Sequence, residues 1–284
     1  MTDGTPIGGA VTVSSDERWL VALDIDGTVL LEDGTLQDRV KSEIARVQNL
    51  GHEVMLSTGR SVSMTLPVVD QLAITPEYLV CANGAVVLRR DPDAPLGYTR
   101  AHVETFDPTE VLSTIREHLG QASYAVEDAE GTFRYTGSFP EGALAVARRK
   151  VEFEELLGVP ATRVVVISPG HAIDDFLAVV ERMGLHKVTY NVGWTAWLDI
   201  APDGVNKATG LERVRADLGI PGTRVFTAGD GRNDIDMLEW TAAGGGIGVA
   251  MGQAPEEVVA VATEVTGTDI DDGLADALSR HFQG

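Results

Sequence analysis

Short apolar runs alternate with amphipathic stretches along most of this chain. The apolar runs are bounded by polar residues, as buried strands are, and the amphipathic stretches repeat an apolar residue every third or fourth position, as helices do. Strands are predicted at residues 19–24, 53–57, 78–81, 224–228 and 246–251. Helices are predicted at residues 36–49, 62–72, 207–218 and 255–262. This alternation predicts an α/β fold with a doubly wound, parallel, Rossmann-like sheet.

The middle third of the chain departs from this alternation. Between residues 87 and 200, strands are mixed with helices predicted near 108–119, 141–157 and 172–183. Such an order predicts a separate α+β unit inserted into the sheet domain. The predicted domains are a core at 16–86 and 201–284, an inserted α+β domain at 87–200, and a flexible tail at 1–15 that is rich in Gly, Ser and Thr.

Composition limits the size of the fold, the possible partners and the expected location of the protein. The chain has 284 residues, 44% of them hydrophobic, enough for one large or two medium domains. The formal net charge of −21 argues against nucleic acid or an anionic membrane surface as a partner, because both are polyanions. The single cysteine, Cys81, cannot form an internal disulfide, and the N-terminal segment lacks the features of a signal peptide. We expect a cytoplasmic protein that is a monomer or a weak homo-oligomer.

Two carboxylates stand at the end of the first predicted strand, where Asp24 and Asp26 are followed by Gly27 and Thr28. On an extended strand, residues two apart point the same way, so both acids would face one pocket. Such a pair is unfavourable unless a cation or a shared proton relieves the repulsion. The motif therefore indicates acid/base, nucleophilic or metal chemistry, with an ordinary Asp-Gly turn as the alternative.

Three further polar segments follow predicted strands or begin predicted helices. Residues 57–60 (Ser-Thr-Gly-Arg) offer a hydroxyl and helix N-terminal amides to an oxyanion, and Lys207 could neutralise a carboxylate and a phosphate together. Residues 229–234 add Asp230, Asn233 and Asp234, whose oxygen atoms suit Mg²⁺. Each segment alone could be a helix cap, a surface lysine or a turn. Ligands collect at the carboxyl ends of parallel strands, so the four segments together predict one site.

In this order the motifs resemble those of the haloacid dehalogenase superfamily phosphatases, in the Cof-like type IIB branch that carries a large cap between the second and third motifs. The first motif matches Asp24, Asp26, Gly27 and Thr28, the second Thr58, the third Lys207, and the fourth residues 229–234. Asn83-Gly84-Ala85 and residues 248–252 also resemble segments of this branch.

The resemblance implies a phosphomonoesterase that uses Mg²⁺ and an aspartyl-phosphate intermediate. Asp24 would attack phosphorus, and Asp26 would protonate the leaving alcohol and then activate water. The Asp24 carboxylate, the Asp26 backbone carbonyl and Asp230 would hold Mg²⁺, with Asp234 as a further ligand or a support. Thr58 and Lys207 would bind the phosphoryl oxygens. The other residues predicted to contact the phosphate or substrate are Gly27, Thr28, Gly59, Arg60, Asn83, Gly84 and Asn233.

The expected substrate is a small phosphorylated metabolite, most plausibly a sugar phosphate. A phosphomutase of the same superfamily and a non-catalytic phosphometabolite-binding module remain alternatives. The inserted cap is expected to select the leaving group. Its candidate contacts are Arg134, Tyr135, His186 and Trp194, although each of these residue types is more often a surface or core residue.

Overall fold

The computed structural model describes residues 17–144, 147–183, 185, 188–192 and 196–283. The predicted tail and the candidates His186 and Trp194 lie outside the described residues. The strands, in chain order, are β1 (Leu20–Leu23), β2 (Glu53–Leu56), β3 (Tyr78–Cys81), β4 (Val86–Arg90), β5 (Tyr98–Val103), β6 (Ser123–Asp128), β7 (Phe133–Tyr135), β8 (Arg148–Lys150), β9 (Ala161–Ile167), β10 (Val188–Val192), β11 (Trp197–Pro202), β12 (Val225–Gly229), β13 (Ile247–Ala250) and β14 (Glu264–Val265). The helices are α1 (Asp38–Asn49), α2 (Val62–Leu72), α3 (Thr109–His118), α4 (Ile173–Met183), α5 (Lys207–Asp217), α6 (Ile235–Ala243), α7 (Glu256–Val259) and α8 (Gly273–His281).

A five-stranded parallel sheet forms the core, in the order β14-β13-β12-β1-β2. Every residue of β1 is buried, which explains why this strand is a continuous apolar run rather than an alternating one. Apolar side chains of α1 and α8 pack on one face of the sheet, and those of α5 and α6 pack on the other. The predicted α/β class with a doubly wound parallel sheet is confirmed.

The next strand along the chain, β3, continues this sheet only through a parallel bridge between Ser57 and Val80. Its main partner is β4, which runs antiparallel to it, and β5 pairs antiparallel with β4. The predicted division at residue 87 falls inside β4. Strand β4 pairs with β3, and β3 is bridged to the core sheet, so β4 belongs with the core as much as with the inserted region. The exact position of the domain boundaries therefore stays a prediction.

A six-stranded sheet, in the order β10-β11-β9-β6-β7-β8, forms the rest of the inserted region. Helices α3 and α4 cover one face, where Leu112 and Phe176 pack against Val164 and Val166 of β9. Alternate residues of the same strands point to the opposite face. That second face carries polar side chains as well as apolar ones, and part of it lines the cavity described below.

The prediction of a helix at residues 141–157 is wrong. Residues 148–150 form the edge strand β8, which pairs in parallel with β7, and Phe153–Leu156 form one short 3₁₀ helix. The segment is rich in helix-forming residues, but burial of Phe153 and Leu156 in the cluster beneath α3 overrides that local preference. Several smaller differences are at element ends; α7, for example, has four residues rather than the eight predicted at 255–262. Of the helices described, none is both long and apolar enough to cross a bilayer.

Candidate active site

The predicted motifs converge at the carboxyl edge of the parallel sheet. Asp24 follows β1, Thr58 follows β2 and Asp230 follows β12, and these three strands are neighbours in the sheet. The backbone N–H of Asp24 donates to the carbonyl oxygen of Ala228 at 3.0 Å, which continues the pairing of β1 with β12 one residue past the strand. Segments about two hundred residues apart are therefore brought together because their strands are adjacent.

Four charged side chains form a buried cluster at this edge. Asp24, Asp230 and Asp234 each offer a carboxylate oxygen, and these oxygens all lie within 4.8 Å of one another. Lys207, at the first position of α5, places its Nζ 2.7 Å from Oδ1 of Asp24 and 2.6 Å from Oδ1 of Asp234. All four residues are buried. With every group ionised, three negative charges face one positive charge.

Burial and repulsion perturb the acids of this cluster. Burial, followed by the charge of Asp234, raises the pKa of Asp24 to about 7, despite the opposing effect of Lys207. Burial, followed by the charge of Asp24, raises the pKa of Asp230 to about 8. Burial alone would lower the pKa of Lys207, but the charges of Asp234 and Asp24 raise it above its usual value. The single charge of Lys207 therefore cannot balance three ionised carboxylates, and the donors that the acids offer to a metal ion are all oxygen atoms.

A hard divalent cation fits this donor set. Mg²⁺ is bound in proteins through one or two carboxylates together with waters and substrate phosphate oxygens. Asp24 and Asp230 each have a carboxylate oxygen that accepts no hydrogen bond from the described residues. Asp234 differs, because its Oδ1 accepts from Lys207 and its Oδ2 accepts from the N–H groups of Asp230 and Gly231 at 3.0 and 2.9 Å. Its geometry is that of a residue that holds the loop and the lysine in place.

The backbone at Gly27 lies close to the acid cluster. Its φ is +73°, a left-handed conformation that side chains rarely adopt, and a Cβ built on it would lie 2.3 Å from Oδ2 of Asp230. Thr28, the next residue, is buried and donates from Oγ1 to Oδ1 of Asp230 at 3.4 Å. Gly27 and Thr28 thus contact the acid cluster, and only glycine leaves space for Asp230.

Asp26 lies at the mouth of the site, and 62% of its side chain is exposed. Arg60 donates to both of its carboxylate oxygens, from Nε at 2.9 Å and from Nη2 at 2.5 Å. Asp24 and Asp26 both line the same cavity, together with Arg60. The two acids therefore differ in environment: one is buried beside an ammonium, and the other is near solvent and held by a guanidinium.

Thr58 and Asn83 lie on the side of the site that is formed by the segments after β2 and β3. Thr58 is buried, and its Oγ1 accepts from the N–H of Arg60 at 3.1 Å. Asn83 has left-handed backbone angles, and a Cβ on Gly59 would lie 3.1 Å from its Oδ1. That Oδ1 accepts from Nδ2 of Asn233 at 3.1 Å. Gly84 lets the turn approach the start of α5, since a Cβ there would lie 2.0 Å from the carbonyl oxygen of Asn206.

A cavity of about 460 Å³ extends from this edge to the second face of the six-stranded sheet. Seven of the predicted residues line it, namely Asp24, Asp26, Gly59, Arg60, Asn83, Asp230 and Asn233. Six do not, namely Gly27, Thr28, Thr58, Gly84, Lys207 and Asp234. The described cap candidates Arg134 and Tyr135 do not line it either.

Sequence reasoning missed the residues that line the cavity from the inserted region. Arg163 of β9 donates to both oxygens of Asp199 of β11, at 2.7 and 2.8 Å, and Trp197 lies two residues before Asp199. Nδ2 of Asn83 donates to Asp199 at 3.4 Å, which links the two sheets. A single charged residue within an otherwise apolar strand, as at Arg163 and Asp199, was the signal available in the sequence.

Comparison with known proteins gives a consistent result. Residues 21–278 match the family of haloacid dehalogenase-like hydrolases. The chain is 29% identical over 272 residues to a 5-amino-6-(5-phospho-D-ribitylamino)uracil phosphatase of Bacillus subtilis, covering 93% of this chain and 97% of that protein. It is 27% identical over 284 residues to a pyridoxal phosphate phosphatase of Escherichia coli, covering 93% and 98%. A sugar phosphatase of subclass IIB has the same fold, with a TM-score of 0.75 at 20% identity over 92% of this chain and 98% of that one.

Proposed function

The chain belongs to the haloacid dehalogenase-like hydrolases and is a phosphatase of their Cof-like branch, and we propose that it hydrolyses a small phosphorylated metabolite with Mg²⁺ through an aspartyl-phosphate on Asp24. The observation that carries the proposal is the buried cluster in which Lys207 contacts Asp24 and Asp234 beside Asp230. A buried acid-rich site that also orients one lysine suits transfer of a phosphoryl dianion.

The proposed metal ligands are the Asp24 carboxylate, the Asp230 carboxylate and the backbone carbonyl of Asp26. When bound, Mg²⁺ would offset the charge of the acids and of the phosphoryl oxygens, which favours ionised Asp24 at neutral pH. We assign Asp234 a supporting part, because Lys207 and two backbone N–H groups already occupy its oxygens.

In the first proposed step, an oxygen of Asp24 attacks phosphorus as the bond from phosphorus to the ester oxygen breaks. Lys207 donates to Oδ1 of Asp24, which orients the carboxylate toward the phosphoryl group. Asp26 enters this step protonated and gives its proton to the leaving alkoxide, so that it is a carboxylate when the second step begins. In the second step Asp26 takes a proton from water, the water oxygen attacks phosphorus, and phosphate leaves as Asp24 is regenerated.

The phosphoryl oxygens would be bound by Lys207, by Thr58 and by backbone N–H groups near Gly59. Arg60 would keep Asp26 aimed at the cavity through its two hydrogen bonds. The inserted region, predicted at 87–200, would act as the cap that selects the leaving group, because its sheet lines the far side of the cavity. The single cysteine is a buried thiol, in keeping with the proposed cytoplasmic location.

For the substrate, we propose a phosphorylated metabolite small enough for a cavity of about 460 Å³, with sugar phosphates as the first class to test. The relatives named above act, by their names, on a phosphorylated ribitylaminouracil and on pyridoxal phosphate. Both are monophosphates of small metabolites. The substrates named for these two relatives thus differ mainly in the leaving group.

Phosphate release from p-nitrophenyl phosphate tests the proposal. We expect activity with Mg²⁺, loss of activity on chelation, and a fall of at least about a thousandfold in Asp24→Asn, because the nucleophile is removed. Asp93→Asn makes the same chemical change at an exposed position away from the site and serves as the control. Activity that survives chelation or Asp24→Asn would contradict the assignment. Isomerised sugar phosphate without free phosphate would instead indicate a phosphomutase.

A further inference from the structure

The part of the cavity that is lined by the six-stranded sheet carries an aromatic residue and two charged residues that the proposed phosphoryl transfer does not use. Trp197 and Asp199 are two residues apart on β11 and point to the same face, while Leu198 and Ile200 pack on the helix-covered face. Arg163 points to the same face from the neighbouring strand β9, and it reaches Asp199. This wall, made of Arg163, Trp197 and Asp199, lines the same cavity as Asp24.

Charges on this wall are already balanced. Side-chain exposure is 7% for Arg163 and 12% for Asp199, and their two hydrogen bonds make a bidentate ion pair. Among the described residues that line the cavity, the other arginines also face carboxylates, Arg60 with Asp26 and Arg232 with Glu257. A second anionic group on a substrate would therefore lose its hydration on entering the cavity without gaining an arginine that is not already paired. The protein's net charge of −21 makes such binding still less favourable.

The third member of the wall, Trp197, is an aromatic residue. Trp197 is partly buried and packs against the cluster that includes Val165 and Ile167, and it also lines the cavity. Met64 and Pro140 line the cavity as well. An indole next to a satisfied ion pair favours a flat, uncharged group, which can stack on the ring while its polar edge meets Asp199.

We propose that Arg163, Trp197 and Asp199 form a leaving-group subsite for phosphate monoesters whose leaving group is uncharged and carries a planar ring. The inference rests on the proposed function, since it assumes that the phosphoryl group lies at Asp24. It assigns Trp197 the stacking surface and makes the Arg163–Asp199 pair the element that discriminates against a second negative charge.

Matched esters of primary alcohols test ring planarity. Benzyl phosphate and cyclohexylmethyl phosphate have alcohols of similar acidity, and the cyclohexyl ring is the more hydrophobic. Burial alone would thus favour cyclohexylmethyl phosphate. We expect kcat/KM to be about threefold to tenfold higher for benzyl phosphate, as aromatic stacking beyond burial predicts. Equal values, or a preference for the cyclohexyl ester, would overturn the proposal.

Charge is tested with 4-carbamoylbenzyl and 4-carboxybenzyl phosphate, which have nearly the same shape. We expect kcat/KM to be at least about tenfold lower for the carboxylate, because each arginine among the described lining residues already faces a carboxylate. Comparable values for the two esters would show that the wall does not select against an anion.

Variants connect the preference to Trp197. In Trp197→Leu the ratio of benzyl to cyclohexylmethyl kcat/KM should fall to about one, and Trp197→Phe should recover most of it, since a planar ring is restored. The matched control is Trp240→Leu, because Trp240 is partly buried on α6, bonds to Glu212 and does not line the cavity. An unchanged ratio in a folded Trp197→Leu protein would refute the role of the indole.

Binding separates this inference from the proposed function. In 2-phenylethylphosphonate and 2-cyclohexylethylphosphonate, a methylene replaces the ester oxygen, so neither can be hydrolysed. Calorimetry with Mg²⁺ should show about threefold to tenfold tighter binding of the phenyl compound. Loss of turnover on all esters would contradict the proposed function alone, whereas equal phosphonate affinities would contradict the subsite even in an active phosphatase.

Discussion

At the residue scale, Gly27 connects backbone geometry to Asp230, a proposed metal ligand. Two substitutions separate the cost of a left-handed backbone from the cost of a collision. Gly27→Ala and Gly34→Ala both place a side chain at positive φ, +73° and +83°, but only the Cβ at position 27 meets another group, Oδ2 of Asp230 at 2.3 Å.

We expect Gly34→Ala to lower the free energy of unfolding by about 1 kcal/mol and to keep normal Mg²⁺ activation. Gly27→Ala should weaken apparent Mg²⁺ affinity by at least about tenfold, because Asp230 must move. Chemical denaturation and Mg²⁺ titrations of activity measure the two effects. Equal Mg²⁺ affinities in the two variants would mean that Gly27 has no special relation to Asp230.

Glu127 is a buried acid of the inserted sheet that ties stability to pH. It is 2% exposed, its Oε2 has no hydrogen-bond partner, and burial raises its pKa to about 7 despite the charge of Arg163. Asp199 and Asp128 also raise it, and Arg100 lowers it. The folded state therefore binds this proton more tightly than the unfolded state, whose pKa is near 4.5. The stability contribution is present at low pH and is lost as pH rises through about 7.

Glu127→Gln removes this titration. The variant should be more stable than the wild type at about pH 8, by up to about 3 kcal/mol, and the gap should close toward about pH 5. Urea unfolding at several pH values measures it. Glu130→Gln, at an exposed position in the turn that follows β6, should change stability by less than about 0.5 kcal/mol. A Glu127→Gln protein that is less stable than the wild type at the higher pH would contradict this account.

At the scale of elements, α5 places the lysine of the site through its first turn. Asn206 caps the helix: its Oδ1 accepts from the N–H of Thr209 at 3.0 Å, and its own N–H donates to Oγ1 of Thr209 at 3.1 Å. Lys207 follows directly, so the cap determines where the ammonium lies between Asp24 and Asp234.

Asn206→Ala should lower the free energy of unfolding by about 1 kcal/mol, as loss of an N-cap does. It should also lower kcat/KM by about threefold to tenfold, because Lys207 is less well positioned. Asn206→Ser keeps a capping oxygen and should restore most of both quantities. If the serine variant is as impaired as the alanine variant in stability and activity, the cap is not the cause.

The region around residues 141–157 shows how an element can be misread. Its composition favours a helix, but β8 forms because β7 offers a free edge, and the 3₁₀ turn forms because Phe153 and Leu156 reach an apolar cluster. Strand β7 lies outside this segment, and the apolar cluster is defined only after folding. Periodicity in a single window contains no information about them.

At the scale of the whole molecule, the net charge of −21 acts on a substrate that is itself a dianion. Salt screens this long-range repulsion, since the Debye length falls from about 30 Å at 0.01 M to about 8 Å at 0.15 M ionic strength. With Mg²⁺ saturating, kcat/KM should therefore rise at least about twofold over this range. The turnover number kcat should change less, because bound substrate is already inside the cavity. A kcat/KM that falls with salt would indicate a locally positive approach path.

The amino-acid sequence by itself determined the fold class and the segments of the site. Buried strands such as β1 are continuous apolar runs, and the polar motifs stand directly after them, so both are readable locally. That adjacent parallel strands bring Asp24, Thr58 and Asp230 to one edge follows from general rules of α/β sheets.

Only the tertiary structure decided how those residues are used and what faces them. It pairs Asp26 with Arg60, commits both oxygens of Asp234 to Lys207 and the loop, and brings Arg163 and Asp199 of the inserted sheet to the cavity. These contacts join residues whose relation depends on sheet pairing and on which face of a strand is covered. A charged residue within an apolar strand shows that a partner is needed; only folding shows which partner it has.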